Sequence, residues 1–75
     1  MKNITRHTGK LRIVGRMKNS KYGNPQFMLK CDGYQFRTQA NSSIAFVIEN
    51  YLNKEVTVTI GTFRNCLTLN TINLK

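Results

Sequence analysis

Apolar and polar residues alternate along most of this chain. In residues 10–18, KLRIVGRMK, Leu11, Ile13, Gly15 and Met17 fall on one side, and Lys10, Arg12, Val14, Arg16 and Lys18 on the other. A period of two predicts a strand with one buried face, and Gly15 in its middle predicts a bend or bulge. Residues 26–31, QFMLKC, repeat the pattern with Phe27, Leu29 and Cys31 inward and Gln26, Met28 and Lys30 outward. Asp32 and Gly33 follow as a two-residue hairpin signal, because both central positions of such a turn take positive φ. Residues 34–39, YQFRTQ, set Tyr34, Phe36 and Thr38 against Gln35, Arg37 and Gln39, so the first three strands read as a meander.

Residues 41–53, NSSIAFVIENYLN, break the alternation. Ile44, Val47, Ile48, Tyr51 and Leu52 recur at helical spacing, which predicts one helix near residues 42–53 with a single apolar stripe. Asn41, Ser42 or Ser43 is its expected N-cap, and Asn53 its left-handed stop. Phe46 lies off the stripe and is expected at the rim or exposed. Residues 55–60, EVTVTI, alternate again, and the turn GTFRN leads into a last strand, CLTLNTINL. The phase of that strand slips near Thr71, which sends Ile72 and Leu74 toward a different neighbour. Residues 1–8 show no pattern and are expected to be a flexible segment ahead of one domain spanning 9–75.

The expected order is therefore β-β-β-α-β-β. Sheets this short leave raw edges unless they close. Five strands with a helix between the third and fourth resemble the OB-fold, a partly open Greek-key barrel; an SH3-like barrel is the alternative, though a three-turn helix suits it poorly. The resemblance implies a mainly β small barrel of the single-stranded nucleic-acid-binding type. KNSKYGNPQF together with DGYQFRT is also similar to short barrel proteins of phages and mobile elements, a resemblance that implies no activity.

Charge sharpens the picture. Twelve Lys and Arg face three Asp and Glu in 75 residues, a net charge of +9. Residues 1–30 hold eight of the cations and no acid. Such a field attracts polyanions. The outward set of the first three strands comprises Arg12, Val14, Arg16, Gln26, Met28, Lys30, Gln35, Arg37 and Gln39, with no carboxylate. The loop after the first strand adds Lys18, Lys21 and Tyr22; the last turn adds Phe63 and Arg64. On OB-folds, nucleic acid lies on the face of strands 2 and 3 between the loops that join strands 1–2 and 4–5. That placement implies phosphate contacts from Arg12, Arg16, Lys18, Lys21, Lys30, Arg37 and Arg64, stacking on Tyr22 and Phe63, and Met28 on the same wall. Duller roles compete: Tyr22 folding onto Pro25, Phe63 capping the barrel's open end, and a basic face that is merely solvated.

The chain offers little to a catalyst. His7, Asp32, Glu49 and Glu55 are scattered, and no phosphate loop, nucleophile elbow or metal-ligand spacing occurs. No enzyme activity and no cofactor are expected. Cys31 and Cys66 form no CxxC pair and read as two small apolar side chains. No apolar run approaches the roughly 20 residues of a membrane-spanning helix, and no apolar block follows the basic N-terminus. A cytoplasmic protein with no membrane partner is expected. Its partner is then a nucleic acid, single-stranded in preference, bound with low sequence specificity; the alternative is a phage-type adaptor or inhibitor whose basic face docks on an acidic surface of a larger host protein. An open sheet edge also allows a homodimer.

Overall fold

The computed structural model describes residues 2–40 and 43–75. Six strands carry the chain: β1 (Lys2–Lys10), β2 (Arg12–Met17), β3 (Gln26–Cys31), β4 (Tyr34–Arg37), β5 (Glu55–Phe63) and β6 (Cys66–Leu74). They make one mixed sheet in the order β1-β5-β6-β4-β3-β2, antiparallel throughout except for β4 with β6. The fold is thus mainly β. Alternation delivers Leu29 and Cys31 of β3, Phe36 of β4, Val56, Val58 and Ile60 of β5, and Leu69 and Ile72 of β6 to one core, which also takes Leu11 and Ile48. Burying each large apolar side chain contributes roughly 1.5–3 kcal/mol.

The two outermost strands in that order, β1 and β2, are separated in the chain by Leu11 alone. Leu11 is fully buried. Its N–H donates to the Lys54 carbonyl at 3.3 Å, its carbonyl accepts from Asn53 N at 2.9 Å, and it bridges Leu52 in parallel. The ends of the sheet are thereby brought to one point.

Residues 2–8 of the expected flexible segment are instead most of strand β1, paired with β5 from Lys2↔Thr62 to Lys10↔Glu55. Its core-side positions, Thr5, His7 and Gly9, lie opposite Ile60, Val58 and Val56. Polar and small residues there erase the apolar alternation, while the long edge of β5 still requires backbone partners. His7 is held rather than frayed: Thr5 Oγ1 lies 2.7 Å from its Nε2, Asp32 Oδ2 lies 3.7 Å from its Nδ1, and Tyr34 sits 4.2 Å away between ring centroids.

The predicted helix is not formed. Two 3-10 turns, Ser43–Phe46 and Ile48–Tyr51, meet at Val47, whose φ of −118° and ψ of 11° interrupt helical geometry. Ile, Phe, Val, Asn and Tyr are all weak helix formers, and Ile48 has no side-chain cap before it. The apolar residues still serve the core: Ile48 is buried, and Ile44, Tyr51 and Leu52 pack against it. Val47 and Phe46 are exposed. Asn53 is left-handed, with φ 60°. The proposed caps Asn41 and Ser42 lie outside the described residues.

Two irregularities re-aim side chains. In β2 the register passes from Ile13↔Leu29 to Gly15↔Met28, leaving Val14 as an extra residue. The bend expected at Gly15 is therefore a bulge. In β6 it passes from Leu69↔Ile60 to Thr71↔Thr59, leaving Asn70 over; this is the slip near Thr71, and it turns Ile72 into the core while Leu74 stays exposed. The turn at Asp32 and Gly33 has φ of 52° and 81°, the left-handed pair of a type I′ hairpin.

Gly33→Ala should lower stability by about 1 kcal/mol, because a Cβ disfavours left-handed backbone. Gly15→Ala, where φ is ordinary and a Cβ meets nothing within 4 Å, should be neutral or raise stability by about 0.4–1 kcal/mol. Urea unfolding midpoints of the two variants check the contrast.

Candidate functional site

The loop between β2 and β3 is built around Ser20. Its hydroxyl donates to the Ala40 carbonyl at 2.7 Å and accepts from Tyr22 N at 3.2 Å and Asn24 N at 3.3 Å. Ser20 N also donates to Asn24 O, and Gly23 N to Ser20 O, both at 2.9 Å. Asn24 Nδ2 reaches the same Ala40 carbonyl at 3.0 Å. A short polar side chain thus ties the loop down from within, and Tyr22 is left 61% exposed at its crest. Lys21 Nζ lies 5.3 Å from the centre of the Tyr22 ring.

The β5–β6 hairpin mirrors this arrangement. Phe63 pairs with Cys66 across the turn residues Arg64 and Asn65, whose φ values are 51° and 63°. Phe63 is 45% exposed, and the Arg64 guanidinium sits 5.3 Å from its ring centre. Each lip therefore carries one ring with a cation beside it, a contact worth roughly 0.5–1 kcal/mol where solvent reaches it.

Between the lips runs an open cleft of about 640 Å³. Gln26, Arg37, Thr38, Gln39 and Ala40 line it on one side of the seam between β4 and β6, and Thr68 and Asn70 on the other; Asn19, Ser20, Lys21 and Tyr22 form one lip and Phe63 and Arg64 the opposite one. Three cations line the cleft and no carboxylate does. The acids lie elsewhere. Glu55 opens β5 while Phe63 closes it, which at strand rise is about 26 Å away. Asp32 occupies the β3–β4 turn, and Glu49 borders a smaller apolar depression with Ile13, Phe27, Phe46, Ile48 and Leu52. The cleft can therefore take an anion without like-charge repulsion and can offer two ring faces to a planar group.

The structure gathers Lys21, Tyr22, Arg37, Phe63 and Arg64 at this cleft. Arg12, Met28 and Lys30 lie on the same wall beyond it: Arg12 pairs with Lys30 and Lys30 with Gln35, and one row nearer Gly15 pairs with Met28 and Met28 with Arg37. Lys18 is exposed in the loop and does not line the cleft. Arg16 is a correction. The extra residue Val14 inverts the alternation behind it, so Arg16 pairs with Phe27 and turns to that ring's side, 5.6 Å from its centre. Its Nη2 donates to Asn19 Oδ1 at 3.2 Å. Met17, expected inward, pairs with the outward Gln26 instead.

Asn19, Ser20 and Asn70 were not legible as site residues from alternation. Asn70 enters the cleft because it is the unpaired residue of the β6 bulge, for which the phase slip at Thr71 was the available signal. Cys66 lies exposed beside the hairpin tip, whereas Cys31 is buried, and both are free thiols. Burial, and then the charges of Asp32 and Glu55, push the Cys31 thiol above its ordinary pKa, which keeps it protonated and a poor nucleophile. Among the described residues no group of three or more His, Cys, Asp or Glu gathers to hold a metal ion, and no helix is long and apolar enough to cross a membrane.

Ser20→Ala should cost about 0.5–1.5 kcal/mol, since it removes hydrogen bonds to two backbone N–H groups and one carbonyl that solvent or Asn24 partly replaces. Amide exchange should quicken at Tyr22 and Asn24 and stay unchanged at Phe63 and Cys66; uniform acceleration would show that the loop is not held by this hydroxyl.

Comparison with protein-family models, with curated proteins and with solved structures finds no match to this chain.

Proposed function

We propose that this chain is a non-catalytic nucleic-acid-binding protein that holds single-stranded DNA or RNA with low sequence specificity. The observation that carries this reading is the cleft with a ring and a cation on each lip, cationic Arg37 within, and no acid along it. Exposed rings stack on unpaired bases at roughly 1–3 kcal/mol per base. A duplex hides those base faces, and among the described residues no element is shaped as a recognition helix. Arg12 and Lys30, on the same wall as Arg37, extend the cationic track along which phosphates exchange their counterions.

The strand order supports an OB-like reading. Counting β1 and β2 as two arms of one strand bent at Leu11 leaves five strands, with the 3-10 segment between the third and fourth. The cleft then occupies the place where such folds bind oligonucleotides, flanked by the first and last connecting loops. The two unpaired thiols suit a reducing compartment, and we place the protein in the cytoplasm on that ground.

Fluorescence anisotropy with labelled single-stranded DNA, single-stranded RNA and duplex DNA at several salt concentrations tests the reading. Log affinity should fall with log salt by about 0.7 for each phosphate neutralised. Tyr22→Ala and Phe63→Ala should each weaken binding roughly 5- to 100-fold with little change in slope. Arg37→Ala should make the slope shallower by about 0.7, and Arg16→Ala, on the other side of the strand, should leave it nearly unchanged. A flat salt response or equal affinity for duplex overturns the proposal. If no oligonucleotide binds even at low salt, the basic face belongs to the alternative, docking on an acidic protein surface.

A further inference from the structure

Resting on the nucleic-acid reading, we infer that the cleft selects among bases by hydrogen-bonding character, favouring those with an exocyclic amino group over uracil and thymine. Four carboxamides line it; Asn19 belongs to the β2–β3 lip, and the other three, Gln26, Gln39 and Asn70, come from three different strands or their extensions. In each of these three the nitrogen is engaged by the protein itself, whereas Asn19 on the lip is held by its oxygen, which accepts from Arg16 Nη2 at 3.2 Å. Gln26 Nε2 donates to the Thr38 carbonyl at 3.4 Å, Gln39 Nε2 to the Leu69 carbonyl at 2.9 Å, and Asn70 Nδ2 to Thr59 Oγ1 at 3.1 Å. The oxygen of each accepts from no described residue. Anchoring by one N–H of the nitrogen limits the rotation of the amide; its second N–H remains, and its oxygen is an acceptor with both lone pairs open.

The Asn19 nitrogen is a neutral donor on the lip, but the polar groups beside the three amides do not balance their oxygens. The Thr68 hydroxyl gives its proton to the Cys66 carbonyl at 3.2 Å, and the Ala40 carbonyl already receives Ser20 Oγ and Asn24 Nδ2. The strong donors, Lys21, Arg37 and Arg64, are charged and are matched to phosphate. A base lying on the cleft floor thus meets amides that offer two acceptor lone pairs for every N–H left to them. Cytosine N4, adenine N6 and guanine N2 each bring N–H groups to such acceptors. Uracil and thymine bring one ring N–H flanked by two carbonyl oxygens, which face the amide oxygens with like partial charge. Selection of this kind reads the class of base and not a sequence motif, so it sits within low sequence specificity.

Oligo-deoxycytidine and oligo-deoxyuridine of about 12 nucleotides, inside the roughly 4–16 that one such domain covers, isolate the effect. The two are pyrimidines without a methyl difference and with little self-stacking. At equal salt and mildly alkaline pH, which keeps cytosine unprotonated, the wild type should bind the cytidine oligomer about three- to tenfold tighter, the worth of one neutral hydrogen bond or slightly more. Gln39→Met, similar in length but without the acceptor, should bring the ratio toward one by weakening cytidine binding while uridine binding holds. Because Gln39 also grips Leu69, Asn70→Ala provides a second variant, with thermal melting to show that each is folded. A wild-type ratio of one or less, or an unchanged ratio in both folded variants, overturns the selectivity and leaves nucleic-acid binding standing. Failure of both oligomers to bind overturns the two together.

Discussion

Leu11 is the joint on which the sheet turns. On its N-terminal side the chain pairs with β5, and on its C-terminal side with β3, so at Leu11 itself neither ladder supplies a partner. A buried backbone N–H or carbonyl left open costs about 1–3 kcal/mol. Asn53 and Lys54 fill both vacancies, and they reach Leu11 because Asn53 takes a left-handed turn as the chain leaves the 3-10 segment. The segment that fails to become a helix is therefore still indispensable. It covers the core with Ile48 and closes the one place where the sheet's two ends meet.

The cleft lies over the most sparsely paired seam in that sheet. Strands β4 and β6 meet in parallel at a single registered pair, Arg37 with Thr68. Past that point the ladder stops, and the Gln39 side chain takes the Leu69 carbonyl in place of a backbone group. An interrupted seam leaves side-chain amides, instead of a saturated backbone ladder, facing the space between two loops. The loops differ in how they are stiffened. One is gathered around the Ser20 hydroxyl, and the other is a two-residue hairpin whose shape comes from backbone dihedrals. Both hold their ring outward, Tyr22 on one side of the cleft and Phe63 on the other.

Much of this was legible in the chain wherever alternation was clean. β3, β4 and β5, the Asp32 and Gly33 turn, and the core positions Leu29, Phe36, Val56, Val58 and Ile60 all follow from period two and turn chemistry. β1 was hidden because its core side carries Thr5, His7 and Gly9, and a strand is held by backbone bonds that leave no mark on composition. The helix was over-read because spacing alone ignores that β-branched and aromatic residues resist helical backbone. Arg16 was misplaced by a single extra residue: a bulge was visible in Gly15, but its consequence for every side chain beyond it requires the partner strand's register. Lys21, Tyr22, Phe63 and Arg64 lie where their loops put them, because loops flanking strands keep their place even when the strands slip.

Arg64 occupies backbone space that suits glycine or asparagine. Its φ of 51° brings Cβ toward the following carbonyl, a crowding worth roughly 1–2 kcal/mol for an ordinary L-residue. Asn65 beside it tolerates the same region far better. Glycine would round this corner at ease and take the guanidinium away from Phe63. The tip of the hairpin is thus held slightly taut by a residue that lines the cleft, and a slacker corner would leave that lip without its charge.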